Sequence, residues 1–268
     1  MSRWTIDEPT TLEFDGVVAL RATLIAGSVS VVAGTGRPSV HVDSVDGPPL
    51  QVAHEAGMLA ITHEKLIEGV LSWLRTQKAS AHVTVTVPAD CPVSLNLVSA
   101  DAVITGIHAR TQVRSATGDV TLHDVAGDIE ANTVSGDVEA SGLDGRVTFI
   151  SASGELALAG GSLDRLAARS ISGRVSADVE LRGEGRTEIQ TVSADVAVRL
   201  PEHASTRVVL NSGTGRVEAS FPELARQDRA IARSVSGKLG DGSADLTVNT
   251  ISGNVTLLSR PAHDALED

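Results

Sequence analysis

Aromatic residues are scarce in this chain of 268 residues, which has two Trp, three Phe and no Tyr. A core with so few rings must be filled by small aliphatic side chains, which suits thin stacked layers better than a wide sandwich. Sugar-cleaving sites usually combine aromatic platforms with paired carboxylates in a groove. The shortage of aromatic residues therefore argues against an enzyme that acts on polysaccharides.

Cysteine and long apolar runs are also rare. The single cysteine, Cys91, cannot form an internal disulfide, and we expect a structural packing thiol. No window approaches the roughly 18 apolar residues of a membrane span, and the first residues lack the apolar core of a signal peptide. We therefore expect a cytoplasmic chain with no transmembrane segment. Its net charge of -12 repels phosphate backbones, so we expect no nucleic acid partner.

What the chain does have is one repeated phrase. A typical copy reads as a hydroxyl residue, an apolar or small residue, a second hydroxyl residue, a small corner residue, a charged residue and a valine-type residue, and the first copy departs from it at Leu97. The spacing of successive corner residues lies between 16 and 22, and the corners are Ala100, Gly118, Gly136, Gly154, Gly173, Ala194, Gly215, Gly237 and Gly253. A period near twenty with strand-like alternation predicts an all-β fold, a β-solenoid of about nine or more rungs.

The columns of the repeat predict which side chains are buried. The two hydroxyl columns share parity, and the opposite parity is apolar, as at Val134 and Val138. Alternation with period two indicates one buried and one solvated face, so we expect the hydroxyl columns outside and the apolar columns inside. Glycine or alanine at the corner indicates a bend where a larger side chain would not fit.

The phrase also resembles a known family. The copies at 133–138, 151–156 and 250–255 and the lead-in strand at 82–93 resemble the bacterial "putative adhesin" β-strand-repeat family, a domain of unknown function. The resemblance covers about residues 21–258. It implies a β-solenoid, often attached to cell-envelope or stress-response systems, without an established catalytic motif. The adhesin label implies export, which the sequence does not visibly support.

The sequence predicts three regions. Residues 1–88 should form irregular β layers that cap the repeat, residues 89–258 the solenoid itself, and residues 259–268 a polar tail. The segment 64–78 breaks the β pattern, because its apolar residues fall at helical spacing. It is either a helix or loop that covers the solenoid flank, or a partner or membrane-surface contact made by Leu66, Trp73 and Leu74.

A search for chemistry finds no catalytic residue, no cofactor site and no metal site. The sequence has no G-x-S-x-G, no H-E-x-x-H and no Cys/His cluster. One acidic column follows the corners at Asp101, Asp119, Asp137 and Glu155, and stacking would space these residues about 5 Å apart. They are either solvated charges that discourage edge aggregation or a weak cation site.

We therefore expect a non-enzymatic β-solenoid scaffold or interaction module in the bacterial cytoplasm, with an unknown protein partner or with itself as partner. An alternative is a surface-associated, adhesin-like or carbohydrate-binding protein. A further alternative is an enzyme of the β-helix kind, which would require a groove with converging carboxylates.

Overall fold

The computed structural model describes residues 2–63, 79–229 and 232–261. These residues form 21 strands and no helix, so the predicted all-β class is confirmed. The described part of the chain accordingly has no helix that could cross a membrane. The segment 64–78, with the predicted contact residues Leu66, Trp73 and Leu74, lies outside the described residues.

The chain divides into two compact units, Met1–Val138 and Glu139–Asp268. The boundary that the sequence predicts after residue 88, between cap and repeat region, stays a prediction. The strands of unit 1 are β1 (Ser2–Ile6), β2 (Thr10–Glu13), β3 (Ala19–Ala33), β4 (Ser39–Asp46), β5 (Leu50–Glu55), β6 (Met58–His63), β7 (Ser80–Val87), β8 (Val93–Thr105), β9 (Thr111–Ser115), β10 (Val120–His123) and β11 (Ala126–Thr133).

Parallel pairing between repeat copies builds unit 1. Strand β8 pairs with β9 and β10, and β9 pairs with β11, each at an offset of 18 residues, as in Val93 with Thr111. On its other side β8 pairs in parallel with β3, where Gly27 lies opposite Ala100. Strand β3 in turn pairs with β6 and β7. Residues 19–33 thus form a regular layer of this stack.

Antiparallel pairs complete the N-terminal part of unit 1. Strand β4 pairs with β2 and β7, and β5 pairs with β1 and β6. Two of the few aromatic rings meet here, since Trp4 and Phe14 contact edge to face with ring centroids 5.3 Å apart. These antiparallel strands lie within residues 1–88, and the role of that region as an irregular cap stays a prediction.

Unit 2 holds the remaining strands, the first of which begins at the unit boundary. They are β12 (Val138–Ser151), β13 (Leu156–Ser170), β14 (Val175–Thr191), β15 (Val196–Pro201), β16 (Thr206–Ser212), β17 (Val217–Ala219), β18 (Ala225–Arg229), β19 (Ala232–Lys238), β20 (Ala244–Thr250) and β21 (Val255–Arg260). Strand β21 includes the first two residues of the predicted polar tail.

The spatial order of strands in unit 2 differs from their order in the sequence. Strand β13 pairs in parallel with β14, and β14 with β15. Strand β15 then pairs with β21, and β21 pairs with β17. The last copy of the phrase therefore lies between the copies at Ala194 and Gly215.

The structure does not place a corner at Gly237, although the sequence predicts one. It lies in β19, which runs antiparallel to β16 and places Gly237 opposite Val208. Strand β19 also forms an antiparallel pair with β18. The phrase around Gly237 thus belongs to an antiparallel addition to the stack, although it reads like the other copies.

Aliphatic side chains fill the core of each unit, as the shortage of aromatic residues predicts. Alternate residues of a typical strand are buried, and β20 shows this pattern over its whole length. The largest fully buried side chains include Leu20, Leu24 and Ile104 in unit 1 and Leu143, Phe149 and Leu163 in unit 2.

Candidate interaction ridge at the repeat corners

In unit 2 a buried hydroxyl group anchors the corners at Gly154, Gly173 and Gly253 from inside. The Gly154 N–H donates to Ser151 Oγ at 2.7 Å, the Gly173 N–H to Ser170 Oγ at 3.1 Å, and the Gly253 N–H to Thr250 Oγ1 at 3.1 Å. These hydroxyl side chains are buried. The prediction that this column faces solvent is therefore wrong. A buried backbone N–H at a bend needs an acceptor, and a hydroxyl three residues earlier supplies it.

The glycine corners have no room for a side chain. A Cβ atom at Gly173 would lie 1.9 Å from the carbonyl oxygen of Gly154, and one at Gly253 would lie 1.8 Å from that of Ala194. In unit 1 a Cβ at Gly118 would lie 1.8 Å from the carbonyl oxygen of Ala100. Neighbouring copies therefore approach backbone to backbone at the corner. The same close contact occurs at Gly136 over Gly118 and at Gly215 over Gly253.

The apolar residue between the two hydroxyl residues points outward, contrary to the predicted parity. Its exposed fraction is 56% at Ile171, 43% at Val192 and 63% at Ile251. In unit 1 the equivalent residues Val98 and Val134 are also exposed. The alternation of the strand is interrupted at the corner, so two successive residues face solvent.

In unit 2 these outward residues form a continuous row. The Ser172 N–H donates to the Ala152 carbonyl at 3.0 Å, the Ser193 N–H to the Ile171 carbonyl at 2.9 Å, and the Ser252 N–H to the Val192 carbonyl at 2.9 Å. Neighbouring parallel strands lie about 4.8 Å apart. We call the row formed by Ala152, Ile171, Val192 and Ile251 the corner ridge.

The second hydroxyl column lies beside the corner ridge and donates to it. Ser172 Oγ donates to the Ala152 carbonyl at 3.2 Å, Ser193 Oγ to the Ile171 carbonyl at 3.2 Å, and Ser252 Oγ to the Val192 carbonyl at 3.3 Å. The hydroxyl protons of this column are thus used within the stack. The groups that the corner ridge itself presents to solvent are methyl and methylene groups.

The acidic column after the corners has a role that the sequence analysis missed. Asp101 Oδ1 accepts the Asp119 N–H at 3.0 Å, and Asp119 Oδ1 accepts the Asp137 N–H at 2.9 Å. In unit 2, Asp195 Oδ1 accepts the Asn254 N–H at 2.7 Å. Each of these carboxylates therefore links its own copy of the repeat to the neighbouring copy through a hydrogen bond to the backbone. The preference for Asp and Asn at this position could have indicated these hydrogen bonds, since both residues carry an Oδ1 acceptor at the same distance from the backbone.

Other titratable groups are dispersed. Across the described ranges, no three His, Cys, Asp or Glu side chains are grouped so that they could hold a metal ion. Cys91 is buried, and its burial, with a smaller effect of Asp90, raises the pKa of the thiol to about 11. His63 is fully buried, and loss of hydration lowers the pKa of its imidazole.

With this geometry established, comparison with known proteins identifies the family. The family model described as Toastrack DUF4097 matches residues 30–258. The chain belongs to the Toastrack family. The resemblance seen in the repeated phrase is thereby confirmed, and Toastrack DUF4097 is a domain of unknown function. No curated protein matches the chain.

Several solved structures resemble this Toastrack chain. A "putative lipid binding protein" from Parabacteroides distasonis has a TM-score of 0.53 and 16% identity, covering 94% of this chain and 97% of its own. A "putative adhesin" from Bacteroides fragilis has a TM-score of 0.41 and 9% identity, covering 96% and 97%. At 16% identity, the Parabacteroides protein shows a shared fold and nothing about function.

Proposed function

We propose that this Toastrack chain is a non-enzymatic β-solenoid scaffold in the bacterial cytoplasm that binds a protein partner through the corner ridge. One observation carries the proposal: Ile171, Val192 and Ile251 lie at the corners of successive stacked copies and expose about half of their apolar side chains. Contiguous apolar groups at a surface are typical of interaction sites, whereas isolated ones need no explanation.

The chemistry of the corner ridge favours a protein over a carbohydrate. Branched aliphatic side chains bury well against other apolar side chains, and the neighbouring Ser172, Ser193 and Ser252 use their protons within the stack. Sugar recognition depends on aromatic platforms and available polar groups. Trp4, the one Trp in the described ranges, is in edge-to-face contact with Phe14 in unit 1. The partner should therefore offer an apolar patch.

The corner hydrogen bonds make the corner ridge a preorganised surface. The buried hydroxyl groups of Ser151, Ser170 and Thr250 fix each bend, and the backbone ladder fixes the spacing between bends. A partner that binds such a surface loses little free energy in ordering it. This rigidity supports the role of a scaffold.

The carboxylates near the corners support a binding role over an enzymatic one. Asp101, Asp119 and Asp195 accept backbone N–H groups of neighbouring copies, which is a structural use of the carboxylate. A general acid–base pair would instead direct two carboxylates toward a shared substrate position.

Photo-crosslinking in the native host tests the proposal. A benzophenone amino acid replaces Ile171 or Ile251 on the corner ridge, and Leu258, an exposed residue of β21, serves as the control position. We expect both ridge positions, and not position 258, to crosslink one protein that also binds the wild-type chain when purified. Products that contain only a second copy of this chain, or that are identical at all three positions, would contradict the proposal.

A further inference from the structure

Unit 2 carries a cleft of about 770 Å³ whose lining is rich in arginine. The charged residues of its wall are Arg174, Asp195, Arg216, Glu218 and Arg233. Three cations against two carboxylates give the cleft a local excess of positive charge, in a chain whose net charge is -12. Such a reversal of local charge marks the cleft as a distinct surface.

The strand order of unit 2 creates this grouping. The Val175 N–H donates to the Asp195 carbonyl at 3.0 Å, the Val196 N–H to the Asn254 carbonyl at 2.8 Å, and the Val255 N–H to the Arg216 carbonyl at 2.8 Å. The residues that follow the corners therefore stack in the order Arg174, Asp195, Asn254, Arg216. The backbones of the two arginines are separated by three strand spacings, about 14 Å.

The two outer arginines are available to a ligand. Arg174 and Arg216 are exposed, and neither guanidinium group forms an ion pair with any residue in the described ranges. The Asp195 carboxylate, which lies between them, already accepts two hydrogen bonds. Its Oδ1 accepts both the backbone N–H and the Nδ2 group of Asn254. The side chain is thus held within the stack.

The third arginine is fixed at the same corner. Arg233 Nη1 donates to the Gly215 carbonyl at 3.1 Å, and its side chain is half-buried. The bond fixes this guanidinium group next to the residue that follows Gly215, which is Arg216. The cleft therefore combines one positioned cation with two exposed ones.

We propose that this cleft binds a small molecule that carries at least two phosphate or carboxylate groups. The planar guanidinium group forms paired hydrogen bonds with either oxyanion, and several such groups around one cleft favour a multivalent anion. The volume lies within the usual range of small-molecule sites. The proposal does not depend on the corner ridge and adds a ligand site to the proposed scaffold role.

Isothermal titration calorimetry of the full chain with sodium pyrophosphate and with citrate, at low ionic strength, tests this site. The variants Arg174→Gln and Arg216→Gln remove one cleft cation each, and Arg169→Gln removes an exposed arginine of β13 outside the cleft. We expect saturable binding of at least one anion, weakened about tenfold or more by either cleft variant and unchanged by Arg169→Gln.

Two results would overturn the proposal. The first is the absence of saturable binding to both anions, and binding of that chain to phosphatidylglycerol vesicles would then identify a lipid surface as the ligand. The second is equal weakening by Arg169→Gln, which would indicate general charge attraction. The ridge variant Ile171→Ser, at a residue outside the cleft lining, should leave anion binding unchanged, so this test and that of the corner ridge give separate answers.

Discussion

The backbone N–H of Gly173 donates a hydrogen bond to Oγ of Ser170, three residues earlier, inside the corner of the repeat. Replacing Ser170 with Ala leaves this buried N–H without an acceptor, which costs about 1–3 kcal/mol. Urea denaturation should show this loss of unfolding free energy. The matched control is Ser172→Ala, at the exposed hydroxyl two residues later, whose loss should cost less than about 1 kcal/mol. Equal costs for the two variants would contradict the role of the buried hydroxyl.

Close approach of the backbones at the corner predicts a large effect of Gly173→Ala. The added methyl group would meet the carbonyl oxygen of Gly154 at 1.9 Å, so the two strands must separate. We expect a loss of about 3 kcal/mol or more in unfolding free energy. Gly36→Ala is the control, because a Cβ there meets nothing within 4 Å and the backbone does not require glycine. A Gly173→Ala variant as stable as Gly36→Ala would refute the close contact.

The reversed facing at the corner predicts opposite results for two substitutions with aspartate. Val175 is fully buried and Ile171 is 56% exposed. Val175→Asp places an unpaired charge in the core and should cost more than about 4 kcal/mol or prevent folding. Ile171→Asp should change stability by less than about 1 kcal/mol. Thermal unfolding followed by circular dichroism compares the two, and a severe loss at Ile171 would mean that this position is buried.

Buried His63 predicts a stability that falls on acidification. Because burial lowers the pKa of the folded-state imidazole, the unfolded chain binds more protons below pH 6.5, the ordinary histidine value. Unfolding free energy should therefore decrease as pH falls from about 6.5 toward the folded-state pKa, by up to about 1.4 kcal/mol per pH unit. Denaturation at pH 7.5 and pH 5 should show a smaller difference for His63→Leu than for wild type. Equal differences for the two proteins would contradict this role of His63.

The period of the repeat was readable from the sequence because it reflects a steric requirement. A glycine corner that stacks on a neighbour, such as Gly118 or Gly253, must leave room for a carbonyl oxygen. The facing of Ser170 and Ile171 was not readable, because alternation is a property of straight strands and the corner interrupts it. A hydroxyl group that satisfies a buried N–H looks, in the sequence, like a solvent-facing one.

The spatial order of the strands could not be predicted from the sequence either. All copies of the phrase are similar, so nothing local indicates that the copy at Gly253 lies between those at Ala194 and Gly215. The copy at Gly237 reads like its relatives, yet it pairs antiparallel with β16. The arginine cleft follows from this order, and the acidic column noted in the sequence did not predict it.

Binding of a protein by the corner ridge is tested by the affinity of the protein that crosslinks there. Its Kd is measured by surface plasmon resonance for wild type, for the double variant Ile171→Ser/Ile251→Ser and for Leu258→Ser. We expect the double variant to weaken binding about tenfold or more, while Leu258→Ser, at an exposed residue of β21 outside the ridge, has no effect. Unchanged affinity of the double variant, with its melting temperature intact, would contradict the claim.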